Sequence, residues 1–369
     1  MPARWGTVAA YAAVAAANQL LWLTYAPITT DVARHFDVSE AAVGWLSQVF
    51  PLLYVILAIP AGLALDRRFR SALLTGAWLT AVGGAVRLGS DTFAAALAGQ
   101  ILIACAQPLI LNAVTKVALT AVPDDLAKGI SLGSAGIFAG TALALPLGPA
   151  LGDADSLLPL LIVDLVVAVA AAAWLSVALR GVEPASSAPA SAGRAELRAV
   201  CSDRAIRRLA AVAFLGFGVF VALTTWLQAL LEPAGVSDET AGWLLGAMVL
   251  AGVVGSAVLP APLARRRAER SFLRVAAVVA AAGCGFLALA PGAAALAVIP
   301  LGFVLLGSLP VVLELTERRS QSGAATALIW LAGNAGGIVV AVLVQITQDR
   351  PGLAFSLLAA TAALVLAVA

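Results

Sequence analysis

The chain has 369 residues, of which 62% are hydrophobic and 11% are charged, and its mean hydropathy is +1.01. Soluble domains are typically about half apolar and a quarter charged, so this composition excludes a large water-soluble enzyme. The net charge of +2 gives no sign of a nucleic-acid partner. Three widely spaced cysteines, Cys105, Cys201 and Cys284, form neither a metal-binding nor a disulfide pattern, so we expect no metal and no cofactor.

Long apolar runs fill most of the sequence. A helix needs roughly 20 apolar residues to cross a bilayer. Runs of this kind, broken by charged, polar or Gly/Pro-rich clusters, predict twelve spans at approximately 7–30, 41–64, 71–89, 93–121, 127–151, 157–179, 207–231, 240–263, 272–290, 293–316, 322–347 and 352–369. We therefore predict an all-α membrane protein of twelve transmembrane helices.

The basic residues predict the orientation of these spans, because Lys and Arg near span ends stay on the cytoplasmic side. With the N-terminus inside, only Arg34, Arg87 and Arg350 fall outside. Both termini are therefore predicted to be cytoplasmic. The alanine- and arginine-rich composition is typical of a GC-rich bacterial genome, which predicts the bacterial inner (plasma) membrane as the location.

An internal repeat divides the chain. Val38-Ser39-Glu40 and Gly44-Trp45-Leu46 recur at an offset of 198, and Pro60-Ala61 with Arg70-Ser71 recur at an offset of 200. A Pro/Ala/Ser-rich stretch, whose second half is compatible with a short basic helix, separates the halves. We predict an N-terminal six-helix bundle at 1–180, a cytoplasmic linker at 181–206 and a C-terminal six-helix bundle at 207–369, the pattern of parallel-repeat secondary transporters.

The second predicted span ends in Gly62-Leu63-Ala64-Leu65-Asp66-Arg67-Arg68-Phe69-Arg70. This stretch resembles the G-x-x-x-D-R-x-x-R loop of the major facilitator superfamily, shortened by about one residue. The resemblance implies a cytoplasmic latch built from Asp66, Arg67 and Arg70, in which Asp66 pairs with Lys116, Arg318 or Arg319. The alternative is that these charges serve only as topology anchors.

Candidate cargo contacts are polar and aromatic residues near the middle of the membrane. Asn18, Trp22 and Tyr25 lie at helical spacing on one face of the first span. Further candidates are Gln107, Phe220, Trp226 and Asn334. Several aromatic faces can bind a desolvated organic cation, at about 0.5–2 kcal/mol each. Trp22, Tyr25 and Trp226 can equally serve in helix packing or in the interfacial aromatic belt.

The segment from Asn18 to Tyr25 has the form N-x-x-x-W-x-x-Y. It resembles the feline leukaemia virus subgroup C receptor branch of the major facilitators, and the likeness continues through Trp45-Leu46-Ser47, Ala106-Gln107, Gly218 to Thr225 and Gly252-x-x-Gly255-Ser256. The resemblance implies a cargo such as choline, ethanolamine or, by an older proposal, haem. It places aromatic cage residues at Trp22 and Phe220, where the branch has Trp and Tyr. It places polar contacts at Gln107 and Asn334, where the branch has Gln at both.

Ionisable residues inside spans are costly and indicate function by default. Asp164, in the sixth predicted span, is expected to face lipid or the outer aqueous path without a partner, and it is a candidate proton site together with Asp31. Glu314 is expected to belong to a second-half hinge, paired with Arg265 or Arg266.

We expect a transporter that moves a small polar or cationic organic solute by alternating access, most simply by facilitated diffusion. A proton-coupled exporter of drugs or metabolites is the alternative, and a non-transporting membrane receptor is a weaker one. No Gly-rich phosphate loop, metal spacing or Ser/His/Asp set indicates an enzyme. The expected partners are a small molecule and the lipid bilayer, and the family resemblance implies a monomer.

Overall fold

The computed structural model describes residues 4–182 and 193–369, and the regular elements among them are all helical. In the first half of the chain the helices are α1 (Trp5–Leu23), α2 (Thr29–Phe36), α3 (Glu40–Leu88), α4 (Phe93–Leu111), α5 (Val114–Ala121), α6 (Leu126–Leu151) and α7 (Leu158–Ala178). The second half contains α8 (Gly193–Ser202), α9 (Arg204–Leu231), α10 (Asp238–Val258), α11 (Pro260–Arg266), α12 (Glu269–Leu289), α13 (Ala295–Arg319), α14 (Gly323–Thr347) and α15 (Pro351–Val368).

Eleven segments of the described chain are long and apolar enough to cross a membrane. The spans predicted at 41–64 and 71–89 both lie in α3, which consists of two helices joined across a kink at Arg68, where the backbone leaves helical geometry. Its apolar stretch, Ala42–Leu88, has 47 residues, about twice the roughly 20 that one crossing needs. The charged cluster of the expected loop lies at this kink.

The chain divides into two compact units. Unit 1 comprises Met1–Gly193 together with Ser322–Ala327, and unit 2 comprises Arg194–Gln321 with Leu328–Ala369. The first five residues of α14 are therefore counted with unit 1. Of the predicted linker at 181–206, residues 183–192 lie outside the described part of the chain, and the helix expected in its second half is α8.

The sequence repeat has a counterpart in the local structure of each unit. Ser39 accepts a hydrogen bond from the Ala42 amide at the start of α3, and Ser237 accepts one from the Thr240 amide at the start of α10. Both serines are helix N-caps, a position that satisfies otherwise unpaired amides. The helix starts therefore repeat at the offset of 198.

Close helix packing repeats as well. A Cβ atom added to Gly140 of α6 would collide with the Ala16 carbonyl of α1, and one added to Gly336 of α14 would collide with the Phe214 carbonyl of α9. Only glycine permits so close an approach. Since Ala16 and Phe214 are also 198 positions apart, α1 and α9 are equivalent helices, and Trp22 is equivalent to Phe220.

Candidate functional site

The acid of the predicted latch lies in a buried polar contact within unit 1. Asp66 is 3% exposed, and its Oδ1 accepts hydrogen bonds from the Lys116 ammonium and from the Gly323 amide, the latter at 2.8 Å. Gly323 is the first residue of α14, where unpaired amides and the helix dipole favour a negative charge. The structure therefore brings Asp66 and Lys116 together, as the latch prediction required of that pair.

The arginines of the predicted latch lie elsewhere. Arg67 and Arg70 are exposed, and among the described residues neither forms an ion pair. Arg318 and Arg319 pair with acids of their own unit and not with Asp66. The Gly323 amide was missed because a backbone group leaves no signal in the residue types.

Unit 2 contains a different charged cluster. The Arg318 guanidinium contacts Glu269 at 2.9 Å and Glu314 at 2.5 Å. The expected pairing of Glu314 with Arg265 or Arg266 is therefore wrong, because Arg318 stands one helical turn after Glu314 on the same face of α13. Glu314 is fully buried, whereas the Arg318 side chain is 44% exposed.

A second ion pair of unit 2 lies at the start of α9. The Arg319 guanidinium donates to Asp203 at 2.8 Å, and Asp203 also accepts from the amides of Ala205 and Ile206. The hydrogen bond from Arg319 has the largest effect, and together with the bonds from the two amides it holds the pKa of Asp203 below its usual range. Asp203 thus acts as a charged helix cap.

The candidate proton site Asp164 is buried and paired. Its Oδ2 accepts from Arg87 at 2.8 Å and from the Thr24 hydroxyl at 2.6 Å, and both side chains of the ion pair are almost fully buried. The expectation of a partnerless, lipid-facing or outward-lining Asp164 is therefore wrong. Sequence position alone missed Arg87, although both residues were predicted in the outer parts of their spans. The other candidate, Asp31, pairs with Arg34 at 2.6 Å on the surface.

The same network holds the end of α1. Arg87 reaches the Leu21 carbonyl at 3.4 Å, and Gln100 donates to the Trp22 carbonyl at 3.3 Å. These are carbonyls of the last helical turn, which have no partners within the helix. The side chain of Trp22 is fixed in turn, since its indole N–H donates to the Ser47 carbonyl at 2.9 Å and its ring stacks on Phe50 with the centroids 5.7 Å apart.

Of the four candidate cargo residues of unit 1, three are buried, namely Asn18, Tyr25 and Gln107, and Trp22 is partly exposed. Asn18 is fully buried and donates to the Thr80 hydroxyl and the Ile103 carbonyl, and Tyr25 is fully buried with Arg87 5.6 Å from its ring centroid. Trp22 is half-buried. Gln107 is buried, with 3% of its surface exposed.

Unit 2 carries an aromatic cluster around Phe220. The Phe217 ring stacks on Phe220 with the centroids 5.9 Å apart and meets Trp330 edge-on at 6.2 Å. Asn334 donates to the Trp330 carbonyl at 2.9 Å. Trp226 donates to the Ala341 carbonyl at 3.0 Å, which ties α9 to α14. The structure thus groups Phe220, Trp330 and Asn334, and gives Trp226 a packing contact.

Two compact units of long apolar helices, with ion pairs buried among the helices, define an integral membrane protein. The family model of the Major Facilitator Superfamily matches residues 8–341. The chain belongs to this superfamily, and it is a membrane transporter and not an enzyme.

Individual relatives are similar to this chain over different shares of its length. Solute carrier family 49 member A3 of Danio rerio is 28% identical over 305 residues, which cover 77% of this chain and 64% of that protein. The choline/ethanolamine transporter flvcr2b of Danio rerio is 24% identical over 373 residues, which cover 92% of this chain and 77% of that protein. The human choline/ethanolamine transporter FLVCR2 is 30% identical over 119 residues, which cover 31% of this chain and 23% of that protein.

Solved structures share the fold. The human organic anion transporter MFSD10 (TETRAN) superposes with a TM-score of 0.80 at 17% identity, and the alignment covers 100% of both chains. The E. coli fucose:proton symporter FucP gives a TM-score of 0.74 at 18% identity, with coverage of 97% and 96%. Identities this low establish the fold alone.

Proposed function

We propose that this transporter moves a small organic cation of the choline or ethanolamine type by alternating access and facilitated diffusion. The observation that carries the proposal is the equivalence of Trp22 and Phe220 in the two repeats, one aromatic ring in each unit at the same helical position. Relatives that are named choline/ethanolamine transporters support the cargo class.

The pairing of the buried charges in unit 1 is consistent with recognition of a cation by aromatic faces and not by a buried carboxylate. The two buried acids, Asp66 and Asp164, are each neutralised by a basic partner. A methylammonium group would then bind through ring faces, each contributing about 0.5–2 kcal/mol. The buried amide of Gln107 is suited to the hydroxyl or amine tail of such a cargo, with Asn334 as its counterpart in unit 2.

The remaining candidates take supporting parts in this proposal. Asn18 and Tyr25 hold α1 against its neighbours and so orient Trp22, and Trp226 holds α9 in the same way. The contact of Asp66 with Lys116 and Gly323 is proposed to be a latch that is made in one state of the cycle and broken in another. Arg67, Arg70 and Glu314 are proposed to support it from the same membrane side.

A proton-coupled exporter is the alternative, and one observation favours it. Asp164 Oδ1 is buried and, among the described residues, has no hydrogen-bond partner. That oxygen is free to accept a proton or a hydrogen bond. If Asp164 carries the coupled proton, Asp164→Asn abolishes pH-driven flux while exchange at equilibrium continues. If transport is facilitative, flux is equal with and without a pH gradient.

The location follows from the same proposal. We propose residence in the bacterial inner membrane as a monomer, with both termini cytoplasmic. Cysteine labelling of the wild-type Cys201, which is exposed, with a membrane-impermeant maleimide tests the orientation in intact cells. Protection in intact cells and labelling after permeabilisation are expected, whereas labelling of intact cells contradicts the orientation.

The test of the cargo is uptake of labelled choline and ethanolamine into proteoliposomes that contain the purified protein. We expect saturable uptake, and Trp22→Ala is expected to raise KM by about 2- to 30-fold, the equivalent of one cation–π contact. The control is Trp174→Ala, since Trp174 is an exposed side chain of α7. Saturable uptake that is equal in both variants would contradict a cargo contact at Trp22, and no uptake of either compound would contradict the cargo class.

A further inference from the structure

His35, the single histidine of the chain, joins three segments of unit 1. It lies in α2, between the predicted spans at 7–30 and 41–64. Its Nε2 is 2.7 Å from Asp91 Oδ1, in the connection between α3 and α4. Its Nδ1 is 3.1 Å from the Ala154 carbonyl oxygen, in the connection between α6 and α7. The imidazole therefore bridges α2 to two connections that are distant from it in the sequence.

Both partners of the imidazole are hydrogen-bond acceptors. An ionised carboxylate and a carbonyl oxygen have no proton to donate, and a neutral imidazole has only one N–H. The two contacts are both hydrogen bonds only when His35 carries a proton on each ring nitrogen. The geometry is therefore that of a charged imidazolium.

The imidazole and its acceptors are held in position by their surroundings. The His35 side chain is 10% exposed, and its ring meets the Phe36 ring edge-on with the centroids 4.9 Å apart. Asp153 Oδ1 accepts from the two amides that follow Ala154, each at 2.9 Å, and this turn fixes the peptide whose carbonyl faces the ring. The contact with Ala154 thus depends on a built turn.

The charged groups of the three segments are nearly all acids. They are Asp91 in the α3–α4 connection, Asp153 and Asp155 in the α6–α7 connection, and Asp31, Asp37 and Glu40 in α2 or directly after it. Arg34 of α2 is neutralised by Asp31 at 2.6 Å. Burial by itself favours a neutral imidazole, whereas an acid and a carbonyl at its two nitrogens favour the charged form.

We propose that His35 is a proton-binding site that joins α2 to both connections when it is charged. Loss of one proton leaves a single N–H, which stays with Asp91 because a charged acceptor forms the stronger hydrogen bond. A ring lone pair then faces the Ala154 carbonyl, so the α6–α7 connection is released as the pH rises. The site is independent of the cargo and of Asp164.

The test is nuclear magnetic resonance of the full-length protein in nanodiscs, labelled with ¹⁵N-histidine and purified without a histidine tag. We expect the titration midpoint of His35 to lie above about 6.5, the value of an unperturbed imidazole. Both ring N–H protons should be visible below the midpoint. Asp91→Asn is expected to lower the midpoint, whereas the control Asp155→Asn, which removes an exposed acid next to Ala154, should leave it unchanged.

Hydrogen–deuterium exchange of residues 152–158, corrected for the intrinsic pH dependence of amide exchange, tests the release. We expect exchange to rise across the midpoint in the wild type and to be independent of pH in His35→Gln, whose side chain does not titrate. A midpoint at or below about 6.5, or one that Asp91→Asn does not move, would overturn the proton site. Wild-type exchange that does not follow the midpoint would overturn the release.

Discussion

The interiors of the two units are built from different chemistry on the same helix packing. Unit 1 is held by hydrogen bonds and ion pairs inside the membrane segments, such as Asn18 with Thr80 and Arg87 with Asp164. At the repeat offsets, unit 2 has Gly216, Ala280 and Leu287 at the positions of Asn18, Thr80 and Arg87. The helix caps and the close glycine contacts repeat, but the polar core does not. The repeat therefore keeps backbone geometry and leaves side-chain chemistry free to differ.

The charged clusters of the two units differ in the same way. In unit 1, Lys116 is buried and contacts a single acid, Asp66. In unit 2, Arg318 is half exposed and contacts two acids. Because Lys116 and Asp66 are buried, removing either one leaves an uncompensated charge away from water. Arg318 is partly exposed, so water can solvate its charge when one of its acids is removed.

The largest effect is expected from Arg87→Ala. It leaves Asp164 as an unpaired buried acid, and breaking a buried pair in this way costs about 3–5 kcal/mol of unfolding free energy. The double variant Arg87→Leu/Asp164→Leu imitates the apolar core of unit 2 and is expected to recover most of that loss. Equilibrium unfolding in detergent measures both.

Arg34→Ala is the control for this experiment, because the Arg34–Asp31 pair is exposed and is worth no more than about 1 kcal/mol. A double variant that is no more stable than Arg87→Ala would show that the Arg87–Asp164 pair contributes more to stability than the mutual neutralisation of its two charges.

A smaller loss is expected from Asn18→Leu, which removes three hydrogen bonds and leaves the buried Ile103 carbonyl without its side-chain donor. The cost is about 1–3 kcal/mol. The opposite sign is expected for Gly216→Ala, since Ala adds up to about 1 kcal/mol in a helix and nothing obstructs its Cβ. Thermal unfolding of both variants decides the point, and destabilisation by Gly216→Ala would contradict the open space there.

Lys116→Ala tests the proposed latch through transport. We expect maximal choline uptake to fall roughly tenfold with KM unchanged, which corresponds to about 1.4 kcal/mol. Arg68→Ala removes a neighbouring charge that is exposed and, among the described residues, forms no ion pair, and it is expected to leave uptake within about twofold of the wild type. Similar losses in the two variants would favour a general role of charge at this membrane side over a latch.

The smallest effect is expected from Asp203→Asn. Because hydrogen bonding lowers the folded pKa of Asp203, the charged form stabilises the protein above the unfolded value of about 3.9. This contribution is lost as the pH falls through the folded pKa. The difference in thermal midpoint between wild type and variant should therefore be small at neutral pH and vanish in acid. A difference that grows on acidification would contradict the pairing with Arg319.

The sequence was sufficient for the fold class and the repeat, and it placed Lys116 among three candidate partners of Asp66. Apolar length, basic asymmetry and a signature loop are local properties of the chain, so they can be recognised without knowing which helices touch. The equivalence of Trp22 and Phe220 can be recognised in the same way, because the repeat offset of 198 is read directly from the sequence.

The remaining contacts depend on three-dimensional neighbours. The depth of Arg87 and Asp164 was predictable, but their contact joins α3 to α7 across 77 residues, and hydropathy does not report which helices pack together. Hydropathy also could not show that two helices meet at a kink at Arg68, because charged residues at a membrane surface fit either a kink or a longer loop.

The most direct test of the central claim compares choline with its neutral carbon isostere, 3,3-dimethyl-1-butanol, as competitors of labelled choline uptake. The two have nearly the same shape, and only choline is charged. Recognition by the aromatic faces of Trp22 and Phe220 predicts that the isostere competes at least tenfold more weakly, and that this preference shrinks in Trp22→Ala and Phe220→Ala. Equal competition by the two compounds in the wild-type protein would contradict the account.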